Sequence, residues 1–186
     1  MSAAPDLLGE PRHRLTRAEY EQVVATGVFD RQRVELLYGE ILDMSPIGPD
    51  HASVVERLTE LLVLRLVGRA SIRPQLSFSV GDHSEPEPDL LVVPRKSYRQ
   101  SHPSEAFLAI EVARTSLQRD RGPKAALYAE AGVPEYWIVN LVDGLIEVRR
   151  EIVSGAYARV TPYRLGESIT LSAFPDVEIA VADVLG

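Results

Sequence analysis

Two short apolar runs, each with one carboxylate at its end, constrain the fold of this chain most. Asp89 opens the run at residues 90–93, and Glu111 closes the run at residues 107–110. A polar, proline-bearing stretch, residues 94–105, connects them. If the runs pair antiparallel around this connection, partner positions share a constant sum. The register that aligns the two runs then also sets Asp89 opposite Glu111.

This pairing predicts a metal site. Directly opposed residues of an antiparallel pair point to the same face, with Cβ atoms about 5 Å apart. Two ionised carboxylates at that separation repel each other, so they need a cation between them or a proton on one of them. The alternative is that both acids simply lie where buried strands meet solvent, and a register slip of one residue would place them on opposite faces.

Composition limits the metal and the cellular context. The chain has no cysteine, so oxygen or histidine must hold any metal, which favours Mg²⁺ or Mn²⁺. No run reaches the ~18 apolar residues of a membrane span, and the start lacks a signal-peptide pattern, so we expect a cytoplasmic protein without membrane association. The net charge of -7 argues against nonspecific coating of nucleic acid, although a local basic patch remains compatible with it.

The chain divides into a tail and one predicted domain. Residues 1–14 are rich in proline and charge, and residues 15–186 form the predicted domain. Thr16 and Glu19 have the spacing of a capping box, which predicts a short helix. Two strands folded about the pair 38–39, Tyr-Gly, should follow.

Further local signals predict the remaining elements. Asp50 is a predicted N-cap of a second helix, and alternating apolar residues at 76–80 predict a half-buried strand. Asp120 is the predicted cap of a third helix, with Pro123 in its first turn. The Asp-Gly pair at 143–144 predicts a hairpin.

These elements predict an α/β (α+β) fold. Helix, strand, strand, strand, helix and strand follow one another, and a right-handed parallel crossover through the third helix would give a mixed central β-sheet flanked by helices. The N-terminal helix and hairpin and the C-terminal strands are extensions of this αβββαβ core.

A cation is the next requirement of such a site. Lys124 lies in the predicted helix after the Glu111 strand and could stabilise charge on a transferring phosphate. Tyr128 is four residues further and shares its helix face. In the alternative interpretation, Lys124 is a solvated surface residue and Tyr128 a core aromatic. His51, at a helix start, and Glu40, after a turn, are weaker candidates as supporting residues.

Two basic segments predict a nucleic-acid-binding patch. One lies in the connection between the carboxylate strands and the other between Glu111 and Lys124, and both are expected to border the site. They could equally be ordinary loop residues paired with the surplus acids. The candidates are Arg95, Lys96, Arg99, Arg114, Arg119 and Arg121.

The ordered motifs resemble a known nuclease family. Pro88-Asp89, Glu111-Val112-Ala113 and a helical lysine resemble the PD-(D/E)XK nuclease superfamily. From about Arg33 to the C-terminus the chain is more closely similar to the Uma family of restriction-endonuclease-like proteins. The motifs that carry this similarity are Gly39-Glu40-Ile41, Met44-Ser45-Pro46, His51, Pro86-Glu87-Pro88-Asp89, Ile110-Glu111-Val112, Asp120-Arg121-Gly122-Pro123-Lys124 and Ala131-Gly132-Val133-Pro134-Glu135-Tyr136-Trp137-Ile138-Val139.

The resemblance implies roles for several residues. It implies a restriction-endonuclease-like core with Asp89 and Glu111 as ligands of Mg²⁺ (or Mn²⁺) and the Val112 carbonyl as a third ligand. It also implies a catalytic role for Lys124. The superfamily lysine is absent at Ala113, and Lys124 would take its place from the following helix.

The expected function is that of a Mg²⁺-dependent endonuclease that hydrolyses phosphodiester bonds of nucleic acid, with DNA as the expected partner. A homodimer is expected because cleavage of both strands suits two sites. Two alternatives remain: a non-catalytic module that binds nucleic acid or protein on the same fold, and a metal-dependent hydrolase of another phosphate substrate.

Overall fold

The computed structural model describes residues 12–186, so the predicted tail at residues 1–14 lies mostly outside the described residues. In chain order the elements are α1 (Arg17–Ala25), β1 (Val34–Leu37), β2 (Glu40–Asp43), α2 (Pro49–Leu66), β3 (Ala70–Pro74), β4 (Leu90–Pro94), β5 (Leu108–Ala113), α3 (Leu117–Arg119), a π-helical turn (Asp120–Lys124), α4 (Ala125–Glu130), β6 (Glu135–Asn140), β7 (Leu145–Val153), β8 (Ala156–Tyr163), β9 (Ser168–Leu171), β10 (Phe174–Ala180) and α5 (Val181–Leu185).

A six-stranded mixed sheet forms the centre of the molecule. Its strand order is β3-β4-β5-β6-β7-β8, and β1-β2 and β9-β10 form separate two-stranded sheets. Strands β5 and β6 are parallel, whereas every other neighbouring pair in the central sheet is antiparallel. The predicted mixed sheet, with a helical crossover between its parallel strands, is therefore confirmed.

The register of β4 and β5 also agrees with the sequence prediction. Leu90 pairs with Ile110, and the next two pairs keep the same position sum. One step beyond this ladder, the same register sets Asp89 opposite Glu111. One detail differs, because Glu111 does not end its strand: β5 continues to Ala113.

The two faces of the sheet belong to different cores. Leu90 and Val92 pack in a core that includes α2, whereas Leu91 and Val93 pack in a core that includes α4. Side chains alternate between faces along a strand. Asp89 therefore shares the α4 face with Leu91.

Two local predictions in the N-terminal part are confirmed. Thr16 and Glu19 form the capping box at the start of α1. Strands β1 and β2 form the predicted hairpin, with Tyr38 and Gly39 at positive φ. A Cβ at Gly39 would lie 2.6 Å from the Cβ of Arg14, so this turn has no room for a side chain.

Two element predictions are wrong. The N-cap of α2 is Gly48, without a side-chain hydrogen bond, and Asp50 lies inside the first turn. Residues 76–80 form no regular strand; the strand lies earlier, at Ala70–Pro74. Residues 76–80 instead form an irregular segment. In it, Phe78 is fully buried in the core that includes α4.

The third helix also begins earlier than predicted. It starts at Leu117, and Asp120 accepts a hydrogen bond from the Ser116 hydroxyl inside a π-helical turn rather than capping a helix. Pro123 lies within that turn. Across residues 12–186, no helix combines the length and apolarity that crossing a bilayer requires.

Candidate active site

A cavity of about 360 Å³ opens where the start of β4, the middle of β5, the first turn of α2 and the π-helical turn meet. Both predicted carboxylates and the predicted lysine contribute to its wall. The side chains that matter for the chemistry are Asp89, Glu111, Lys124, His51, Arg114, Arg119 and Asp120.

Asp89 is held by contacts from two directions. Its Oδ2 accepts a hydrogen bond from the backbone N–H of Val112 at 2.8 Å. Its Oδ1 lies 2.8 Å from Nε2 of His51, in the first turn of α2. Strand β5 and helix α2 therefore fix this carboxylate together, and the structure brings the predicted supporting residue His51 into the site.

Glu111 is bound on one side of its carboxylate only. Its Oε1 accepts hydrogen bonds from Lys124 Nζ at 2.9 Å and from the Tyr128 hydroxyl at 2.6 Å. Within residues 12–186, no group donates to Oε2. Burial raises the pKa of Glu111 to about 8, against the opposing effect of Lys124. Because its pKa is raised, Glu111 needs further positive charge nearby to remain ionised, and its oxygen Oε2 is free to contact such a charge.

Lys124 is buried between two carboxylates. Only 2% of its surface is exposed, and Nζ lies 2.9 Å from Glu111 and 3.0 Å from Glu35 Oε2. Burial alone would lower the pKa of Lys124, but Glu111, Glu35 and Asp120 outweigh burial and raise it above the usual lysine value. These carboxylates therefore favour the protonated, hydrogen-bond-donating form of Lys124.

Sequence reasoning missed two site residues: Asp120, which it assigned only as a helix cap, and Glu35. Glu35 lies in β1, is fully buried, and is 3.8 Å from Nη1 of Arg119 in addition to its contact with Lys124. The backbone N–H of Glu87 donates to Oε2 at 3.2 Å. One signal was available in the sequence: an acidic residue in the middle of the apolar run Val34-Glu35-Leu36-Leu37.

Glu40, the acid predicted from the same hairpin, does not reach the cavity. It is exposed and lies 3.5 Å from Nη2 of Arg14. Strand β2 forms the outer side of the hairpin, whereas all four residues of β1 are buried. The prediction selected the wrong strand of the hairpin.

The charges of this cluster, which are buried except for the half-buried Arg119, do not balance. When all are ionised, four carboxylates face one lysine and one arginine, which leaves two excess negative charges. Burial raises the pKa of Asp120 as well, with Ser116 and Lys124 opposing this change. The members of the cluster are Glu35, Asp89, Glu111, Asp120, Lys124 and Arg119.

The donor set suits a hard divalent cation with few protein ligands. Within the described part of the chain, no three His, Asp or Glu side chains form a metal-binding group. Mg²⁺ is commonly held by one or two carboxylates, with water and phosphate oxygens completing the coordination. Asp89 and Glu111 supply that number, and a divalent ion would offset the excess charge of the cluster.

Three predicted arginines follow β5, and they differ in position. Arg114 and Arg119 line the cavity. Arg114 pairs with Asp50, and Arg119 also donates to the Asp43 carbonyl. Arg121 is not part of the cavity wall; it binds Glu147 on β7, with Nε at 2.9 Å from Oε1.

The other basic segment lies away from the site, contrary to the prediction. Arg95, Lys96 and Arg99 follow the end of β4, whereas Asp89 precedes its start. Five residues of strand separate the two ends by roughly 17 Å. Lys96 pairs with Glu105 inside the same connection. The reason is the direction of the strands. The connection joins the end of β4 to the start of β5, whereas Asp89 and Glu111 lie towards the opposite end of this strand pair.

Comparisons with known proteins concern the chain as a whole and its fold. A family model, Uma2, described as "Putative restriction endonuclease", matches residues 17–182. No curated protein matches the chain. Among solved structures, a "putative nuclease belonging to DUF820" from Anabaena variabilis has a TM-score of 0.74 at 13% identity, covering 92% of this chain and 97% of its own. At that identity, the structural likeness shows a shared fold.

Proposed function

The chain belongs to the Uma2 family, and on that premise we propose that it is a metal-dependent nuclease that hydrolyses phosphodiester bonds of nucleic acid, with DNA as the expected substrate. One observation carries the proposal. Asp89 and Glu111 meet in one cavity, and the buried Lys124 lies 2.9 Å from the carboxylate of Glu111.

The proposed cofactor is Mg²⁺ or Mn²⁺, held by Asp89 and Glu111 with the Val112 carbonyl as a proposed third ligand. When bound, this ion would polarise the phosphate and make a coordinated water more acidic. The free oxygen of Glu111 and the excess negative charge of the cluster support this proposal.

The protein's own side chains have separate roles in the proposed reaction. Lys124 offers a fixed positive charge where negative charge develops on the transferring phosphate. Glu35 and Tyr128 fix the arrangement, the former by contact with Lys124 and the latter by its bond to Glu111. The first turn of the 18-residue helix α2 lines the cavity, and the positive end of a helix dipole favours a phosphate there.

Calorimetric titration with Mn²⁺ tests the proposed metal site. We expect one bound ion in the unmodified protein, and loss of binding in both Asp89→Asn and Glu111→Gln, because each removes a charged ligand. The matched control is Asp176→Asn, an exposed acid paired with Arg69 away from the cavity. Unchanged Mn²⁺ affinity in either site variant would refute the site.

Cleavage assays test the reaction itself. We expect Mg²⁺- or Mn²⁺-dependent hydrolysis of DNA that EDTA stops. A non-catalytic binding module would bind nucleic acid but cleave none, and a hydrolase of another phosphate substrate would turn over a small phosphate without affinity for polynucleotides. Homodimerisation and a cytoplasmic location stay predictions, which sedimentation and cell fractionation would check.

A further inference from the structure

Asp120 is a buried acid of the central cavity that has no role in the proposed function. It begins the π-helical turn, is 1% exposed and lines the cavity together with Asp89 and Glu111. Its Oδ2 accepts a hydrogen bond from the Ser116 hydroxyl at 2.5 Å. Among the hydrogen bonds within residues 12–186, none reaches Oδ1. This oxygen is therefore open to a molecule bound in the cavity.

Its contacts distinguish Asp120 from the other carboxylates of the cluster. Lys124 contacts Glu35 at 3.0 Å and Glu111 at 2.9 Å, and Asp89 lies 2.8 Å from a histidine nitrogen. Across the described part of the chain, no basic side chain lies within ion-pair distance of Asp120. Its partner is a neutral hydroxyl, which stabilises a carboxylate less than a cation does. Asp120 is therefore the acid of this cluster best suited to hold a proton.

The charge of the site with metal and substrate favours the same protonation. A divalent ion would cancel the two excess negative charges of the cluster, and a phosphodiester would then add one more. A proton on Asp120 would restore neutrality. Burial acts in the same direction, because it raises the pKa of Asp120 against the opposing effect of its hydrogen bond from Ser116. The charged and titratable groups that face Asp120 are Lys124, Arg119, Asp89, Glu111 and Tyr136.

We propose that Asp120 is the general acid of the reaction and donates a proton from Oδ1 to the oxygen that leaves phosphorus. The inference rests on the proposed nuclease function and adds a catalytic residue to it. The oxygen of a water molecule forms a bond to phosphorus while the bond from phosphorus to the leaving oxygen breaks. The leaving oxygen keeps the electron pair and takes the proton of Asp120. The attacking water releases a proton to solvent, from which Asp120 is then reprotonated.

This step gives Asp120 and Lys124 separate roles. The leaving oxygen of a nucleic acid is an alkoxide unless it receives a proton, so a positioned acid accelerates its departure. Lys124 is unsuited to this transfer, because its contacts with Glu35 and Glu111 favour its protonated form. Lys124 therefore supplies charge, and Asp120 supplies the proton.

Cleavage of a sulfur-bridged DNA tests the proton transfer. The substrates are a DNA that the protein cleaves and the same DNA with sulfur in place of the leaving oxygen, because sulfur departs as a thiolate and needs no proton. We expect Asp120→Asn to lower cleavage of the oxygen linkage about a hundredfold or more, the size of general-acid catalysis. Cleavage of the sulfur linkage by this variant should stay close to that of the unmodified protein.

The matched control is Glu35→Gln, which also neutralises a buried acid of the cluster. Glu35 contacts Lys124 and does not line the cavity, so its loss should slow both linkages alike. Equal losses on the two linkages in Asp120→Asn, or no loss on either, would overturn the inference. Calorimetry should find the Mn²⁺ affinity of Asp120→Asn unchanged, whereas lost binding would make Asp120 a metal ligand and also overturn the inference.

Proton uptake gives a readout without catalysis. Binding of DNA would be measured by calorimetry, with Ca²⁺ in place of Mg²⁺, in two buffers of different ionisation enthalpy across neutral and mildly alkaline pH. We expect the unmodified protein to take up a proton on binding, and this uptake to be absent in Asp120→Asn. Equal uptake by both proteins would overturn the inference. No uptake by the unmodified protein would overturn it without any variant.

The outcome for the nuclease itself is separate. If the protein with Mg²⁺ or Mn²⁺ cleaves no DNA, the nuclease is refuted, and the general acid with it. If it cleaves DNA but Asp120→Asn affects the oxygen and sulfur linkages alike, the nuclease stands and only the general acid is refuted.

Discussion

The two ends of the β4–β5 pair hold similar charged groups in opposite surroundings. At one end, Lys124 is buried between Glu35 and Glu111, at 3.0 and 2.9 Å. At the other, Lys96 lies 2.6 Å from Glu105, but 51% and 60% of their side chains are exposed. The shorter contact is therefore the exposed one.

This difference shows that the distance between two charges does not by itself determine how much an ion pair contributes to stability. An exposed pair is screened by water and orders two long side chains, so it contributes little to stability. A buried charge is destabilising without its partner, because removal of one member of the pair leaves the other buried without water or an opposite charge. The cost of losing a cation should therefore be large at the site and negligible in the connection, although both contain a lysine and glutamate.

The largest expected effect comes from removing the two lysines in turn. Lys124→Met should lower the free energy of unfolding by about 3–5 kcal/mol, because it strands two buried carboxylates. Urea denaturation in EDTA measures this loss. Lys96→Met, the matched control, should leave the unfolding midpoint unchanged. Equal midpoints for the two variants would remove the distinction between the two ends.

A smaller effect is expected from the two histidines that contact carboxylates. His51 holds Asp89, a proposed metal ligand, whereas His102 lies 3.8 Å from Glu85 outside the cavity. His51→Leu should weaken Mn²⁺ binding about tenfold to a hundredfold, since groups that orient a ligand have effects of this size. Calorimetry should find His102→Leu unchanged. If both variants bind Mn²⁺ as the unmodified protein does, His51 does not position the ligand.

The smallest expected effect comes from two glutamates that each pair with a lysine. Glu35→Gln keeps the shape of the side chain but removes a charge that fixes Lys124, so kcat for diester hydrolysis should fall roughly tenfold, the size of one charge-assisted hydrogen bond. Mn²⁺ affinity should be unchanged, because Glu35 is not a proposed ligand. Glu105→Gln should alter neither quantity. A full kcat in Glu35→Gln would show that Glu111 alone is enough to position the lysine.

The sequence was sufficient for the parts of the site that depend on local order. A constant position sum predicted the β4–β5 register, and helical spacing placed Lys124 and Tyr128 on one face, where both bind Glu111. These inferences need only the period of a strand or a helix. The same applies to the capping box of α1, in which all contacts lie within four residues.

The errors concern packing between distant segments. Which strand of the N-terminal hairpin faces the core depends on how the hairpin docks, so spacing alone could not separate Glu35 from Glu40. Likewise, Asp50 has the residue type of an N-cap, but in the structure its carboxylate pairs with Arg114 from after β5. The position of the basic connection was an avoidable error, since strand direction already follows from the predicted hairpin.

The π-helical turn at Asp120–Lys124 makes the site sensitive to a change in chain length. A turn of this kind accommodates one residue more than an α-helical turn, and such turns are frequent at functional sites. Deleting one residue there, for example Gly122, would restore a continuous α-helix and rotate the preceding segment by about 100° relative to Lys124 and Tyr128. Asp120 and Arg119 would then leave the cavity while the two residues bound to Glu111 stayed. A single-codon deletion could thus disassemble half of the charge cluster, whereas substitutions at the same position would retain the turn.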